Sequence, residues 1–234
     1  MKGLLIYQSI NYLRSYRYVP PLSIFIISLI VNYTFEPNPI LDSYSYTSVV
    51  LFFVMGWFTV TVFHAEDEGL KQITLFHAKS SKDYHLALFL ICVLIGLFLS
   101  AVSVAYPVVF DMFGGETRPL HIILGFMSHF SLSILSIALS ALFTRDVVKN
   151  KRNTWWGVMS ILVFSVALST FKSLLLKGLI WILPPIRFSL EMMSSKDNMK
   201  SIPDFYYWQF GWIFLYGIVF IVLFFGVLKH RRTL

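Results

Sequence analysis

Charged residues divide the chain into six long stretches of uncharged, mostly apolar side chains. Charges and unpaired backbone groups are costly inside lipid, so the length free of charge is the measure that identifies a transmembrane helix. A bilayer core about 30 Å thick needs roughly 20 helical residues, and each stretch reaches that range. We therefore predict six spans, over residues 19–35, 44–64, 84–108, 119–143, 154–172 and 206–228.

The first 18 residues carry an amphipathic pattern. Ile6, Ile10 and Leu13 recur at helical spacing, while polar residues occupy the rest of the helical wheel, with Arg14 and Arg17 among them. This pattern is typical of a helix that lies in the membrane interface. We predict an elbow helix over residues 1–18 with its apolar side chains buried at the interface. A simple membrane anchor is the alternative role.

Residues 173–204 are predicted to form a re-entrant or interfacial segment. Their apolar piece is too short to cross a bilayer, and Pro184 and Pro185 interrupt it. In an alternative interpretation the fifth helix is longer, and Lys172 and Lys177 extend from it to the interface. Both versions keep six spans.

Composition agrees with a lipid environment. Hydrophobic residues make up 57% of the chain and charged residues 13%, against about 25% charged in soluble proteins. Aromatic residues reach 18%, as suits a protein that places rings against lipid and headgroups. Cys92, the only cysteine, lies within an apolar stretch, which excludes a disulfide within the chain and a cysteine-based metal site.

The positions of the basic residues indicate the topology of the chain in the membrane. The formal charge of +7 comes from Lys and Arg in the gaps between apolar stretches, without the basic stripe of a nucleic-acid-binding surface. An inside N-terminus places thirteen of the nineteen basic residues in the cytoplasm, as the positive-inside rule requires. Both termini and Lys149 are then expected inside and Gly114 outside. We therefore expect a protein that crosses its membrane several times.

The gap after the second span opens with an acidic cluster. Glu66, Asp67 and Glu68 stand directly after the apolar stretch, where the positive-inside tendency would favour Lys or Arg. Acidic residues at this place call for a specific role. We predict that residues 66–82 form a cytoplasmic loop with such a role.

Within this loop the pattern predicts a short helix with an apolar face after a turn at Gly69. Ser80 and Asp83 form a capping pair that opens the third span. A helix lying across the membrane face is suited to contact a peripheral partner, although a solvated loop with a chance amphipathic turn is the alternative. The residues predicted to contact the partner are Glu66, Glu68, Gly69, Leu70, Ile73 and Phe76.

The sequence lacks the motifs that several kinds of enzymatic or transport chemistry require. The sequence contains no GxxxxGK[ST] phosphate-binding loop, no intramembrane serine protease motif and no acidic pair within the spans. His129 is the ionisable side chain nearest to membrane depth, and we interpret it as a neutral histidine bonded to a neighbouring helix. We predict no catalytic residue, no metal ligand and no enzymatic activity in this chain. Small residues four apart, such as Gly96 with Ser100 and Ala101 with Ala105, indicate helix packing.

This layout resembles the type-2 ATP-binding-cassette permeases, the membrane subunits of bacterial exporters. Members of that family begin with an interfacial elbow helix, cross six times and place short re-entrant helices between the last two spans. Their first cytoplasmic loop has an acidic cluster, a glycine, a coupling helix and a serine-containing turn. The residues that stand in those places are Glu66, Glu68, Gly69, Leu70, Leu75 and Ser80.

The resemblance implies a mechanism and partners. Two permease chains, identical or paralogous, would enclose a pathway, and two separate ATPase subunits carrying ATP and Mg²⁺ would dock on the coupling helices. Glu66 and Glu68 would pair with Arg14 or Arg17 or with cations of the ATPase. The expected cargo is a hydrophobic or amphipathic peptide such as a toxin, bacteriocin or antimicrobial peptide. A lipid-linked glycan, a drug, a non-transporting accessory role and a lipid-modifying enzyme are the alternatives.

Overall fold

The computed structural model describes residues 1–35, 37–148, 150–170, 186–193, 197, 202 and 206–232. This part of the chain is α-helical and holds no β-strand beyond a single bridge between Asn38 and Phe113. The prediction of an all-α fold is confirmed. The helices are α1 Lys2–Arg14, α2 Val19–Asn32, α3 Ile40–Phe63, α4 Glu68–His77, α5 Ser81–Val109, α6 Pro119–Ala141, α7 Lys151–Thr170, α8 Ile186–Met193 and α9 Tyr206–Arg232.

Four of these helices are long and apolar enough to cross a membrane: α3, α5, α6 and, over Tyr206–His230, α9. The chain is thus a membrane-embedded helical protein. The apolar helix of α2 and the apolar part of α7, Asn153–Leu168, are shorter. The 14 residues of α2 rise only about 21 Å, less than the hydrocarbon core. Crossing by α2 and α7 therefore stays a prediction.

Backbone conformation and capping hydrogen bonds determine where the helices end, and the length of an apolar stretch does not predict them. The chain leaves α1 after Arg14, and Tyr16 adopts a φ of 55°, which a helix cannot accommodate. The elbow helix is therefore shorter than the predicted 1–18. At the start of α5, the Ser80 hydroxyl accepts the Asp83 N–H at 3.1 Å and donates to its carboxylate, which confirms the predicted cap and begins the helix three residues before residue 84.

Helix α3 also begins earlier than the predicted residue 44. Its first turn follows Pro39, and the Asp197 carboxylate accepts the N–H groups of Ile40 at 3.0 Å and Leu41 at 2.9 Å. A carboxylate at this point satisfies orphan donors and complements the helix dipole. Most of the predicted outer segment, 173–204, lies outside the described residues. Its described helix, α8, buries Ile186 and joins α6 through a hydrogen bond between the Ser189 and Ser128 hydroxyls.

The helices alternate in direction. The C-terminal ends of α3, α6 and α9 meet the N-terminal ends of α5 and α7, and α4 lies there as well; we call this the α4 end of the bundle. Contacts between Lys71 and Asp146 and between His85 and Phe224 mark it. The opposite end is closed by the bridge between Asn38 and Phe113. Helix α3 is buried along nearly its whole length.

Close helix contacts use small and hydroxylated residues. A β-carbon added to Gly96 would meet the Ser133 β-carbon at 3.2 Å, so this position confirms the predicted packing role. Tyr44 of α3 donates to the Val104 carbonyl of α5 at 3.2 Å. Ala101 and Ala105, in contrast, are exposed on the outward face of α5. The packing role predicted for these two residues is therefore not found within this chain.

Candidate functional site

Helix α4 is a short helix built by local capping. The Asp67 side chain accepts the Leu70 N–H at 2.7 Å, so α4 starts at Glu68. Gly69 therefore lies inside the first turn, and no described glycine has a positive φ. The turn predicted at Gly69 is wrong, because the Asp67 cap precedes it and fixes the helix start.

The outward face of α4 carries two large exposed apolar side chains, with Gln72 and His77 beside them. Ile73 is 58% exposed and Phe76 is 88% exposed, whereas Leu70 is half-buried. A groove of about 470 Å³ runs between α4 and the start of α1, and Leu4 and Tyr7 line its other wall. Ile73 lines this groove, and the ring of Phe76, outside the groove, contacts that of His77 at its edge. A contiguous exposed apolar surface is typical of a site that binds another molecule.

Glu66 lies under α4 and not on this surface. Its side chain is 6% exposed and accepts hydrogen bonds from the Thr74 hydroxyl at 2.9 Å and the Tyr84 hydroxyl at 2.8 Å. A buried carboxylate requires such donors. The structure thus gives the acidic residue a role within the chain, where it joins α4 to α5.

Glu68 is exposed and contacts Arg145 at 3.5 Å. The predicted partners within the chain, Arg14 and Arg17, lie elsewhere: Arg14 is exposed, and the Arg17 guanidinium donates to the His64 carbonyl. The basic group goes to that carbonyl because it belongs to the C-terminal end of α3, where the helix dipole favours a cation.

His64 is an uncharged acceptor beneath this surface. Its Nε2 atom accepts the Arg145 N–H at 2.9 Å, which requires an unprotonated nitrogen. Burial, followed by the positive charge of Arg145, lowers the pKa of His64 to about 3. The imidazole is therefore neutral at physiological pH.

Asp146, in the loop after α6, is the charged centre of the α4 end. It pairs with Lys71 of α4 and lies 3.3 Å from His85 Nε2 of α5. Burial would raise the pKa of Asp146, but the nearby His85 imidazole and the charge of Lys71 outweigh it and lower the pKa to about 2. The carboxylate thus stays ionised although it is buried.

Sequence reasoning did not identify Asp146, Arg145, Thr74 or Tyr84 as parts of this site. A signal for Asp146 exists: it is an acidic residue immediately after an apolar stretch and among basic residues, as Glu66 is after the second span. Thr74 and Tyr84 carry no such signal, because hydroxyl groups are common on both sides of a helix.

Helix α1 packs on the bundle through a face that the sequence pattern does not indicate. Gln8 and Tyr12 are buried, and the Tyr12 hydroxyl lies 2.9 Å from that of Thr61. The three predicted apolar positions are all exposed at the protein surface: Ile6, Ile10 and Leu13. They point away from the helix bundle, so lipid contact for this face stays a prediction.

His129 is buried between α6 and α3. Its Nδ1 atom lies 2.7 Å from the Gly125 carbonyl and its Nε2 atom 2.9 Å from the Thr47 hydroxyl. A neutral imidazole meets both contacts when Thr47 donates to Nε2. The interpretation as a histidine bonded to a neighbouring helix is confirmed. Within the described residues, no three His, Cys, Asp or Glu side chains are grouped as metal ligands.

Fold and site together define a membrane-embedded helical protein with a short amphipathic helix presented at one end of its bundle. Comparisons with protein-family models, with curated proteins and with solved structures return no match. Function must therefore be argued from the geometry of the α4 end.

Proposed function

We propose that this protein is the transmembrane permease subunit of an ATP-driven exporter of the ATP-binding-cassette type. The observation that carries the proposal is the exposure of two large apolar side chains on α4, Ile73 and Phe76. A helix at the membrane face with its apolar side chains exposed suits insertion into a groove of a peripheral protein. The resemblance of the sequence to type-2 permeases supports an ATPase as that partner.

The proposal includes six spans with cytoplasmic termini and an elbow helix formed by α1. The alternating helix directions support it, because α2 and α7 run between the same two ends as the four long helices. A bilayer that thins locally, or flanking polar residues that reach the interface, can accommodate the shorter α2. Helix α8 would belong to the re-entrant outer segment.

In the proposed assembly, two permease chains enclose a pathway and two ATPase subunits bind their α4 helices. ATP binding and hydrolysis on the partners move α4, and the spans alternate between inward-facing and outward-facing states. We propose a hydrophobic or amphipathic peptide as the cargo, in keeping with the small size of the chain and its apolar interior. The site of action is a bacterial plasma membrane.

The test measures binding of candidate ATPases to the purified chain in lipid discs, together with ATP turnover. We expect Phe76→Ala to release the ATPase or to abolish stimulated turnover, because losing a buried aromatic anchor costs on the order of 2 kcal/mol or more. Glu68→Gln removes a charge whose side chain is 66% exposed. Its effect should be about 0.2 to 1 kcal/mol and larger at low salt.

Phe35→Ala is the matched control, since Phe35 is 82% exposed and follows α2 at the end of the bundle opposite to α4. It should bind and couple as the wild type does. The exporter proposal fails if the wild-type chain binds no ATPase. It also fails if Phe76→Ala binds and couples normally, and an accessory membrane protein would then be the better description.

A further inference from the structure

Helix α4 has little burial of its own to hold it on the bundle. It contains ten residues, of which only Thr74 is buried. A helix of this length is marginally stable in water when isolated. Its position must therefore come from side-chain contacts with the rest of the protein.

Besides the hydrogen bond between Thr74 and Glu66, two of those contacts are made by adjacent residues of the loop between α6 and α7. Asp146 joins Lys71 of α4 to His85 of α5. Arg145 contacts Glu68 of α4 and, through its backbone N–H and its guanidinium, also binds His64 at the end of α3. One dipeptide thus links α3, α4 and α5 to the end of α6.

The burial of each ion pair indicates which of the two residues holds α4 more strongly. The side chains of Lys71 and Asp146 are 12% and 7% exposed, so water screens their attraction poorly and removal of one leaves the other charge uncompensated. The Glu68 side chain is 66% exposed, and an ion pair at such a place contributes little. Asp146 is therefore the principal contact and Arg145 the supporting one.

We propose that Asp146, supported by Arg145, is the joint that carries a displacement of α4 into the transmembrane helices. Asp146 acts as a positioning residue: its buried carboxylate, together with Arg145, fixes the orientation of α4 against α3, α5 and α6. The proposed function supplies only the force that moves α4, since the joint itself exists within the isolated chain.

Amide hydrogen exchange of the chain in lipid discs tests the joint without any ATPase. Asp146→Asn and Lys71→Met should each raise exchange in α4 by roughly tenfold and leave α3 and α6 unchanged. The double variant should be no faster than the faster single variant, because both changes break one interaction. Asp111→Asn, an exposed carboxylate at the opposite end, should leave α4 unchanged.

Unchanged exchange in α4 for Asp146→Asn would overturn the joint, and so would additive effects in the double variant. Faster exchange throughout α3 and α6 would also overturn it, because Asp146 would then be a general stabilising residue. With an ATPase that binds the wild-type chain, Asp146→Asn should keep co-elution and lose stimulated ATP turnover. If no ATPase binds the wild type, the proposed function fails while the exchange result still decides the joint.

Discussion

Gly69 illustrates how one position in α4 can be improved without touching its contacts. Its dihedral angles are helical, and a β-carbon added there meets only the Asp67 Oδ1 atom at 3.6 Å, an ordinary van der Waals distance. Glycine within a helix is less favourable than alanine by about 1 kcal/mol, since it loses more backbone entropy. Nothing in the local geometry requires glycine at this position.

We therefore expect Gly69→Ala to stabilise α4 by about 1 kcal/mol and to slow its amide exchange by roughly fivefold. Gly56→Ala is the contrasting variant, because its β-carbon would lie 2.4 Å from the Leu162 Cδ1 atom. That variant should lower the thermal stability of the whole bundle. Faster exchange of α4 in Gly69→Ala would mean that the chain needs a glycine turn there after all.

At the residue scale, a contact could be predicted when the two residues that make it are close in sequence. The Ser80 cap follows from the spacing of three positions between Ser80 and Asp83. The burial of Glu66 does not, because its donors Thr74 and Tyr84 are 8 and 18 positions away. These groups come together only because α4 packs against α5. A residue pattern along the chain does not show which distant residues will meet in this way.

At the scale of elements, α1 has two different faces. Tyr12 faces Thr61 of α3, whereas Ile10 is 44% exposed on the other side. Periodicity predicted the helix and its apolar stripe. It did not predict the buried face, because Gln8 and Tyr12 have polar groups and the pattern places them on the solvent-exposed side of the helix.

Ile10→Glu tests whether the exposed stripe of α1 contacts lipid or another chain. Burying an isoleucine side chain contributes roughly 1.5 to 3 kcal/mol, so a charge at this position should reduce the amount of assembled protein in the membrane fraction. Size-exclusion chromatography after solubilisation measures the assembly. Lys2→Glu, a charge change at an exposed position of the same helix, should have little effect. Normal accumulation and assembly of Ile10→Glu would mean that the amphipathic pattern arose by chance.

At the scale of the whole molecule, apolar length predicted where helices lie better than where they end: each predicted span contains a helix, and four of these helices are long and apolar enough to cross a membrane. Caps and proline residues decide where α3 and α5 begin, and those features are independent of hydropathy. Helix direction follows from the contacts at the two ends of the bundle. Sidedness in the membrane rests on loop charge alone.

Cysteine labelling in intact cells tests sidedness. Cys92 is fully buried, so the native thiol is shielded. Gly114 is a poor site because an added β-carbon would lie 2.7 Å from Pro37, whereas nothing lies within 4 Å of one at Gly115. We expect a membrane-impermeant reagent to label Gly115→Cys from outside and to label the exposed position Lys82→Cys only after the cells are opened. Labelling in the reverse order would invert the proposed topology.

The two ends of α3 have a consequence for the order in which the protein is completed during synthesis. Its first turn is capped by Asp197, 157 positions later than Ile40, and the His64 carbonyl after its last turn is bound by Arg17 and Arg145. At roughly 5–20 residues per second, on the order of 10 s or more separates the translation of Ile40 from that of its cap. The most buried helix is therefore among the first to leave the ribosome and among the last to have both ends satisfied.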